Sequence, residues 1–282
     1  MKIEEYLKRA SKLPPTPTVA MQLLQLFNEP DRDVDRIVEL VSVDAGLTAE
    51  TLRRCNSVQF AGATPVGEMF EAVTRLGVYE IYCLVTGLMA SRTMLPVLAR
   101  YRKQGEDYWE HTVAAAVLAG VLARHTEESE PCAFTAGLLH DVGKLVLVSV
   151  DGVSYARALI DTGGHGQRLN AVEEQAYEFN HAELGSRLMW RWGMPAAINL
   201  AVQHHHHTYP LESPHGPFVA VVAAANALAH RLQEQSANTA EEDANAVDAV
   251  SQLGLTEAEV NTLVETGREE LARFRALLKS RN

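Results

Sequence analysis

Cysteine is scarce in this sequence, and no two cysteines stand close together. The 282 residues contain only Cys55, Cys83 and Cys132, with no C-x-x-C pair. Three widely spaced cysteines neither build a disulfide framework nor supply the thiolate pairs of zinc fingers and redox motifs. We therefore expect free, buried thiols in a reducing compartment, and hence a cytoplasmic protein.

Positive charge is also in short supply. Lys and Arg together number 25 against 36 Asp and Glu, which gives a formal net charge of -11. Affinity for nucleic acids and for anionic membrane surfaces depends on basic side chains that meet phosphates. The charge balance therefore predicts that neither nucleic acid nor membrane is a partner.

The sequence lacks both the apolar stretch of a signal peptide at its start and the long alternation of apolar and polar residues that strands show. Its most apolar internal window, Cys132–Val150, contains His140, Asp141 and Lys144. Charged and ionisable side chains are costly inside a bilayer, so this window is predicted as a core helix. Apolar residues make up 47% of the chain, which is typical of globular proteins.

Apolar residues recur at helical spacing along most of the chain, and the predicted fold class is all-α. We predict a helical lobe over residues 1–100, a helical bundle over 101–232 and a C-terminal helical extension over 233–282. The predicted helices are Val19–Phe27, one capped by Asp33, one through Leu47 and Cys55, Met69–Leu76, Val78–Leu98, Trp109–His125, Cys132–Val150, Tyr155–Asp161, Asn170–Phe179, Ala182–Trp192, Pro195–His205, Pro217–Leu232 and Glu257–Leu278.

Histidines are concentrated in the second half of the chain, close to predicted helix ends. Of the 11 histidines, those singled out are His111, His140, His181 and the run His204–His207. His140 stands next to Asp141 among leucines, and an imidazole beside a carboxylate is costly to bury unless a cation or other partners satisfy both. Imidazole and carboxylate together suit divalent transition metals. The pattern therefore predicts a site for one or two metal ions.

Two further residues fall at helical spacing from these histidines. Asp107 precedes His111 by four residues, which puts both on one face if the helix already includes residue 107, so Asp107 is an additional ligand candidate. Lys144 follows His140 by four residues and would reach the same pocket, where an ammonium group can steady a phosphate or protonate a leaving group. Asp141 and Lys144 are therefore the catalytic candidates.

The run of four histidines is weaker evidence taken alone, because histidine-rich stretches are often exposed. We assign His204 and His205 to the site and expect His206 and His207 at the surface. A plainer alternative is that the histidines only pair with carboxylates and carbonyl groups inside a structural core.

Several motifs carry a resemblance to a known family. They are Leu13-Pro14 with Pro17, Asp44-Ala45-Gly46-Leu47-Thr48 before Asn56-Ser57, Ala72 with Arg75-Leu76-Gly77, Trp109-x-His111, His140-Asp141-x-Gly143-Lys144, His181-Ala182-Glu183-Leu184-Gly185, Trp192-x-x-Pro195 and His204-His205. With these motifs the chain resembles the HD superfamily of metal-dependent phosphohydrolases, and more closely its HDOD branch, the HD-related output domains of bacterial signalling. The resemblance covers roughly residues 13–210.

The resemblance implies a ligand set and also shows where this sequence departs from the pattern. His111, His140 and Asp141 fall on the superfamily's ligand positions, while His181, His204 and His205 fall on positions that hold a second metal in the related HD-GYP phosphodiesterases. The last superfamily ligand, an aspartate, is replaced by Asn226. A neutral amide is a weak ligand that brings no counter-charge, so affinity and water activation should fall.

Two functions follow as expectations. The first is a bacterial signal-transduction output module with a partly degenerate metal site, which acts by binding a signalling protein or a phosphorylated small molecule. The alternative is an active metal-dependent phosphohydrolase that acts on a nucleotide or phosphodiester. The Gly-Tyr-Pro loop is missing around Tyr209-Pro210, so hydrolysis of cyclic di-GMP is not expected. Iron is the first candidate for the cofactor, with zinc, manganese and nickel open; the sequence does not indicate an oligomeric state.

Overall fold

The protein is helical throughout the part of the chain that the structure describes, which confirms the predicted all-α fold class. The computed structural model describes residues 3–9, 18–29, 33–57, 64–162, 166–207, 210–232 and 247–279. No strand occurs within these ranges. Two features used in the sequence predictions lie outside them, namely the Leu13-Pro14 and Pro17 motif and Tyr209 of the Tyr209-Pro210 pair.

The helices follow one another with short connections. Two short 3-10 helices, Ala99–Tyr101 and His230–Leu232, continue longer ones, and residues 247–251 are also helical. The α-helices are α1 Ile3–Arg9, α2 Thr18–Asn28, α3 Val34–Ser42, α4 Ala45–Cys55, α5 Met69–Leu76, α6 Val78–Leu98, α7 Arg102–His125, α8 Glu130–Leu139, α9 Val142–Val150, α10 Gly152–Thr162, α11 Gly166–Tyr177, α12 His181–Arg191, α13 Ala196–His204, α14 Gly216–Ala229 and α15 Glu257–Lys279.

The chain forms two compact units. The first, called the bundle unit here, comprises Met1–Pro15 and Thr93–Arg268, and it contains every residue of the predicted metal site. The second comprises Thr16–Arg92 and Glu269–Asn282. The predicted division of the chain into residues 1–100, 101–232 and 233–282 stays a prediction.

Caps and turns in the second unit come from its sequence motifs. The Asp44 side chain accepts a hydrogen bond from the Leu47 backbone at 2.8 Å and so begins α4. Asn56, directly after α4, exchanges two hydrogen bonds with the Val66 backbone, at 2.8 and 2.7 Å. Gly77 joins α5 to α6 with φ of 98°, a conformation that other residues rarely adopt. These three residues therefore hold the turns between successive helices.

Helix α8 lies at the centre of the bundle unit. Ser129 caps its start, and every residue from Pro131 to Leu139 is buried. A helix that is apolar all round is stable only when other helices surround it. Gly137 allows α7 to approach, because a Cβ at this position would lie 2.7 Å from the carbonyl oxygen of Ala115 and from Cα of Ala116. Close contact between α7 and α8 therefore positions the residues that follow α8.

Two helical stretches, Val78–Tyr101 and Glu130–Val150, are long and apolar enough to cross a membrane by length and composition alone. The apolar window of Glu130–Val150 is 89% buried inside the protein, and that of Val78–Tyr101 is 56% buried. Buried core helices of globular proteins pass the same test, so one or two such stretches are weak evidence for a membrane span. The Glu130–Val150 stretch packs as the predicted core segment.

The predicted continuous helix Cys132–Val150 is wrong in one respect, because His140 and Asp141 interrupt it. Asp141 has φ and ψ of -96° and 9°, outside the helical range, and its carbonyl accepts a tight hydrogen bond from the Lys144 backbone at 2.9 Å. Adjacent residues of a regular helix would point about 100° apart. Since His140 and Asp141 lie in a turn between α8 and α9, this restriction does not apply to them.

Candidate metal centre

Five predicted ligands lie deep inside the bundle unit and come from separate helices. His111 belongs to α7, His140 and Asp141 to the turn between α8 and α9, His181 to the start of α12, and His205 to the end of α13. Their exposed fractions are 2%, 0%, 1%, 0% and 1%, in that order. Side chains of this polarity are buried together only when they satisfy one another or a shared cation.

Asp141 is the common neighbour of the buried histidines. Its Oδ2 accepts a hydrogen bond from the Lys144 ammonium at 2.8 Å and lies 3.3 Å from Nε2 of His140. Its Oδ1 lies 3.2 Å from Nε2 of His181 and 3.5 Å from Nε2 of His205. The two carboxylate oxygens therefore face different sets of side chains.

His140 and His205 have the same local geometry. Each follows the last residue of its helix, and each ring uses Nδ1 to bond the carbonyl oxygen three residues earlier, Gly137 or Val202, at 2.7 Å in both cases. A carbonyl oxygen can only accept, so Nδ1 carries the proton in both rings. Nε2 then presents its lone pair towards Asp141, which is the tautomer that a metal-binding histidine needs.

His181 is held by a buried carboxylate that sequence analysis missed. Glu173, from α11, accepts hydrogen bonds from Nδ1 of His181 at 2.7 Å and from its backbone N–H at 2.8 Å. The second oxygen of Glu173 accepts the hydroxyl of Tyr155 at 2.5 Å, and neither Glu173 nor Tyr155 is exposed at all. Three donors therefore fix one carboxylate, and that carboxylate fixes the His181 ring.

The structure brings His206, rather than His204, to the cluster. Nε2 of His206 lies 3.0 Å from Nε2 of His181, and the His206 ring is half-buried against those of His181 and His205. His204 points away and pairs with His207, with 3.1 Å between Nδ1 of His204 and Nε2 of His207. These two rings are also half-buried, not fully exposed.

Asn226 contacts the site from α14. Its Oδ1 accepts a hydrogen bond from Nε2 of His111 at 2.9 Å, and its Nδ2 donates to the carbonyl oxygen of His205 at 3.4 Å. The second bond matters because a carbonyl accepts only, so it orients the amide with Oδ1 towards His111. Asp107 lies in α7 one turn before His111, as its spacing predicted, but its side chain is exposed.

The electrostatics of the cluster favour a charged Asp141 carboxylate and act in opposite directions on the imidazoles of His205 and His181. Burial alone would raise the pKa of Asp141, yet Lys144 and the facing histidines hold it well below its ordinary value. Burial lowers the pKa of His205 to about 4, so this ring is neutral at pH 7. For His181 burial also acts to lower the pKa, but Glu173 and Asp141 together outweigh burial, and the pKa is raised. A proton therefore competes with an ion for Nε2 of His181 as the pH falls, and the affinity for the ion should decrease in acid.

These residues fit a divalent metal ion. Among the buried side-chain atoms of the described ranges that make no hydrogen bond of good geometry are three ligand atoms of this cluster, namely Nε2 of His140, Oδ1 of Asp141 and Nε2 of His205. Two groups of side chains bring ligand atoms within 4.8 Å of one another. We call Asp141, His181, His205 and His206 the histidine half, and His111, His140 and Asp141 with the neighbouring Asn226 the amide half. A bound cation would satisfy buried ligand atoms that have no hydrogen-bond partner of good geometry.

Replacing Glu173 tests whether the carboxylate positions His181. Glu173→Ala removes the acceptor of the Nδ1 proton, so the ring loses its orientation, and we expect Zn²⁺ affinity to fall by about 10–100-fold. Glu173→Gln keeps an oxygen for His181 while its amide group faces the Tyr155 hydroxyl, which can rotate to accept. The glutamine variant should therefore keep most of the affinity in a calorimetric titration.

Tyr155→Phe is the matched control, since it removes one donor from Glu173 and leaves both bonds to His181 in place. It should alter Zn²⁺ affinity less than Glu173→Ala does. Equal affinities in all three variants would show that Glu173 has no part in presenting His181.

Sequence analysis missed Glu173 and Tyr155, and the sequence offers more information about the first than about the second. Glu173 and Glu174 stand side by side, and only Glu173 is buried, so the rotation of α11 decides between them. Tyr155 gave no signal beyond its place in an apolar stripe. Helical spacing from His181 does not reach any of these residues, because they lie on other helices.

The geometry agrees with a family assignment. The model of the HDOD domain matches residues 13–208, and the chain belongs to the HDOD domain family. Among curated relatives, an uncharacterized protein of Treponema pallidum is 25% identical over 77% of this chain, and Ribonuclease Y of Thermus thermophilus is 28% identical over 58% of it. The aligned regions cover only 42% and 24% of those two relatives, so the chain resembles a part of each.

Solved structures resemble the chain over most of its length. A protein of Marinobacter aquaeolei, provisionally named as a signal transduction protein, matches with a TM-score of 0.71 and 25% identity, over 95% of this chain and 58% of that one. A protein of Shewanella amazonensis, provisionally named as a phosphohydrolase, matches with a TM-score of 0.64 and 25% identity, over 96% and 94% of the two chains. The similar structures thus include one provisionally named as a signal transduction protein and one provisionally named as a phosphohydrolase. The predicted family and fold are confirmed.

Proposed function

We propose that this protein is an output module of bacterial signal transduction, in which a metal-bearing helical pocket controls contact with a partner. The partner is a signalling protein or a phosphorylated small molecule. The observation that carries the proposal is the bond between His111 and Asn226, where related enzymes have a second carboxylate. An amide supplies neither the charge nor the strong ligand that activates water at a metal ion.

The organisation of the site supports control rather than turnover. Its ligands come from separate helices and from the α8–α9 turn, so an ion bound by several of them would tie these segments together. Binding of an ion changes the equilibrium between conformations only if it binds them unequally. This cluster should bind an ion unequally in different conformations, because a shift of any one helix would move its ligand away from the others.

The test combines metal analysis with an activity screen. Protein purified without an affinity tag should contain iron, zinc or manganese, and it should not hydrolyse a broad panel of nucleotides and phosphodiesters. Hydrolysis that disappears in both His140→Ala and Asp141→Ala would contradict the proposal. An absence of bound metal, after growth and purification with these ions present, would contradict it as well.

The phosphohydrolase is the second candidate, and Lys144 favours it. Its ammonium lies 2.8 Å from Asp141 inside the cluster, close enough to stabilise charge on a phosphate. A bound ion would lower the pKa of a water molecule there.

Asn226→Asp distinguishes the two candidates. In an enzyme, the restored carboxylate should raise an existing phosphoester turnover by about tenfold or more, as strengthened metal sites do. In an output module neither the parent protein nor the variant turns over substrate, which is the result we expect. Metal content measured alongside activity shows whether the variant alters the site at all.

A further inference from the structure

We propose that the protein binds a single ion, in the histidine half of the cluster, and that the amide half is closed to a second ion. The inference rests on the proposed function, since it specifies where the ion of the output module lies. It differs from the expectation from sequence, which assigned His204 to the site and placed His206 at the surface.

The histidine half has the spacing of a tetrahedral site. Ligand atoms that lie 2.0–2.1 Å from a tetrahedral ion are roughly 3.3 Å from one another. In the protein, Nε2 of His181 lies 3.2 Å from Oδ1 of Asp141 and 3.0 Å from Nε2 of His206, while Oδ1 lies 3.5 Å from Nε2 of His205. Oδ1 of Asp141 and Nε2 of His205 also make no hydrogen bond of good geometry. Four ligand atoms of suitable chemistry therefore converge on one point.

The amide half differs in what its carboxylate oxygen already binds. Its carboxylate oxygen, Oδ2 of Asp141, already binds the Lys144 ammonium at 2.8 Å. Lys144 is only 3% exposed, so it lies within the core and its ammonium stays beside the carboxylate. A divalent ion on this oxygen would lie next to a positive charge, with the neutral Asn226 in place of a compensating carboxylate.

Hydrogen bonds also occupy the remaining ligands of the amide half. Nε2 of His111 donates to Oδ1 of Asn226, and the His205 carbonyl keeps that amide in its orientation. An ion here would require the other tautomer of His111, with its proton on Nδ1, and would have to compete for the amide oxygen, a weak ligand. Of the four donor atoms in this half, only Nε2 of His140 makes no hydrogen bond.

A site with four protein ligands has a functional consequence. Structural zinc sites are closed by four protein ligands, whereas catalytic sites keep one position for water. The histidine half supplies Asp141, His181, His205 and His206, which leaves no such position. His206 is half-buried, unlike the other three, so a bound ion would be most accessible from the side of His206. These four side chains would hold the ion so that it connects α12, α13 and the α8–α9 turn reversibly.

The test is a titration of the untagged full chain with Zn²⁺ after treatment with a chelator, followed by metal analysis of the dialysed complex. We expect one ion per chain in the parent protein. His206→Ala should weaken binding by about 100-fold or more, since it removes a direct ligand and changes in outer partners already cost about 10–100-fold. His204→Ala is the matched control, because it removes a neighbouring half-buried histidine that points away, and it should bind as the parent does.

A further variant shows which half of the cluster holds the ion. His111→Gln should still bind one ion, and circular dichroism checks that this variant is folded. Two ions per chain in the parent protein, or loss of the ion in His111→Gln with retention in His206→Ala, would overturn the inference and leave the proposed function standing. No binding to the parent protein at all would overturn both.

Discussion

Asp141→Ala is expected to abolish Zn²⁺ binding and to lower the free energy of unfolding by about 3–5 kcal/mol, the usual cost of leaving one charge of a buried pair without its partner. The carboxylate supplies a ligand and is also the hydrogen-bond acceptor of the Lys144 ammonium at 2.8 Å. Lys144 is 3% exposed, so water cannot replace the lost partner. Scanning calorimetry in the presence of a chelator should show a melting temperature lower by roughly 10 °C.

The double variant Asp141→Ala with Lys144→Met separates stability from ion binding. Replacing both charges by apolar groups of similar size is often neutral or stabilising. The double variant should therefore recover most of the lost stability and still fail to bind Zn²⁺. If the double variant is as unstable as Asp141→Ala alone, the ammonium is not the cause of the loss, and the pairing described here is not the dominant interaction of Asp141.

Gly143→Ala is expected to cost about 3 kcal/mol, at the upper end of what overpacking usually costs, and to weaken Zn²⁺ binding. A Cβ at Gly143 would lie 1.9 Å from the carbonyl oxygen of His181 and 3.0 Å from the backbone nitrogen of Gly185. Backbone atoms cannot rotate away as side chains can, so α9 and α12 must separate. Because His181 begins α12, the separation also moves a ligand. Denaturant unfolding and Zn²⁺ titration measure the two effects.

Two other glycines provide a graded control for this substitution. A Cβ at Gly185 would meet Cγ1 of Val202, a side-chain atom that can shift, at 3.0 Å, and the backbone nitrogen of Gly143 only at 3.3 Å, so Gly185→Ala should cost less. A Cβ at Gly67 has only Glu71 Oε2 nearby, at 4.0 Å, and Gly67→Ala should leave ion binding unchanged. Equal effects of all three substitutions would mean that close approach at Gly143 does not position His181.

Helical periodicity was sufficient to predict most helices, and the structure agrees at α2, α5, α6 and α13 to within a few residues. The break between α8 and α9 could not be read in the same way. Both sides of it are apolar and buried, no proline marks the turn, and the nearest glycines, Gly137 and Gly143, lie within the helices. The turn becomes evident only when Asp141 is placed among its partners from other helices.

In the candidate site, too, some residues could be predicted from the sequence pattern, whereas others depend on how the helices pack. The adjacency of His140 and Asp141 was visible in the sequence, whereas the choice between His204 and His206 depends on α13 ending at His204. Beyond that residue the backbone turns, and the helical rule for which neighbours share a face no longer applies. Glu173 is buried and Asp107 is exposed, although both are acidic residues on helices near the cluster. Their surroundings, and not their spacing, account for the difference.

A cation shared by imidazoles from different helices and by the Asp141 carboxylate is the central feature proposed for this protein. Anomalous diffraction at the zinc edge, from crystals of untagged protein grown with Zn²⁺, tests for this cation most directly. We expect one anomalous peak per chain, at a position bound by Oδ1 of Asp141 and by Nε2 of His181, His205 and His206. A map without a peak at these side chains, in crystals where their rings are well ordered, would contradict it.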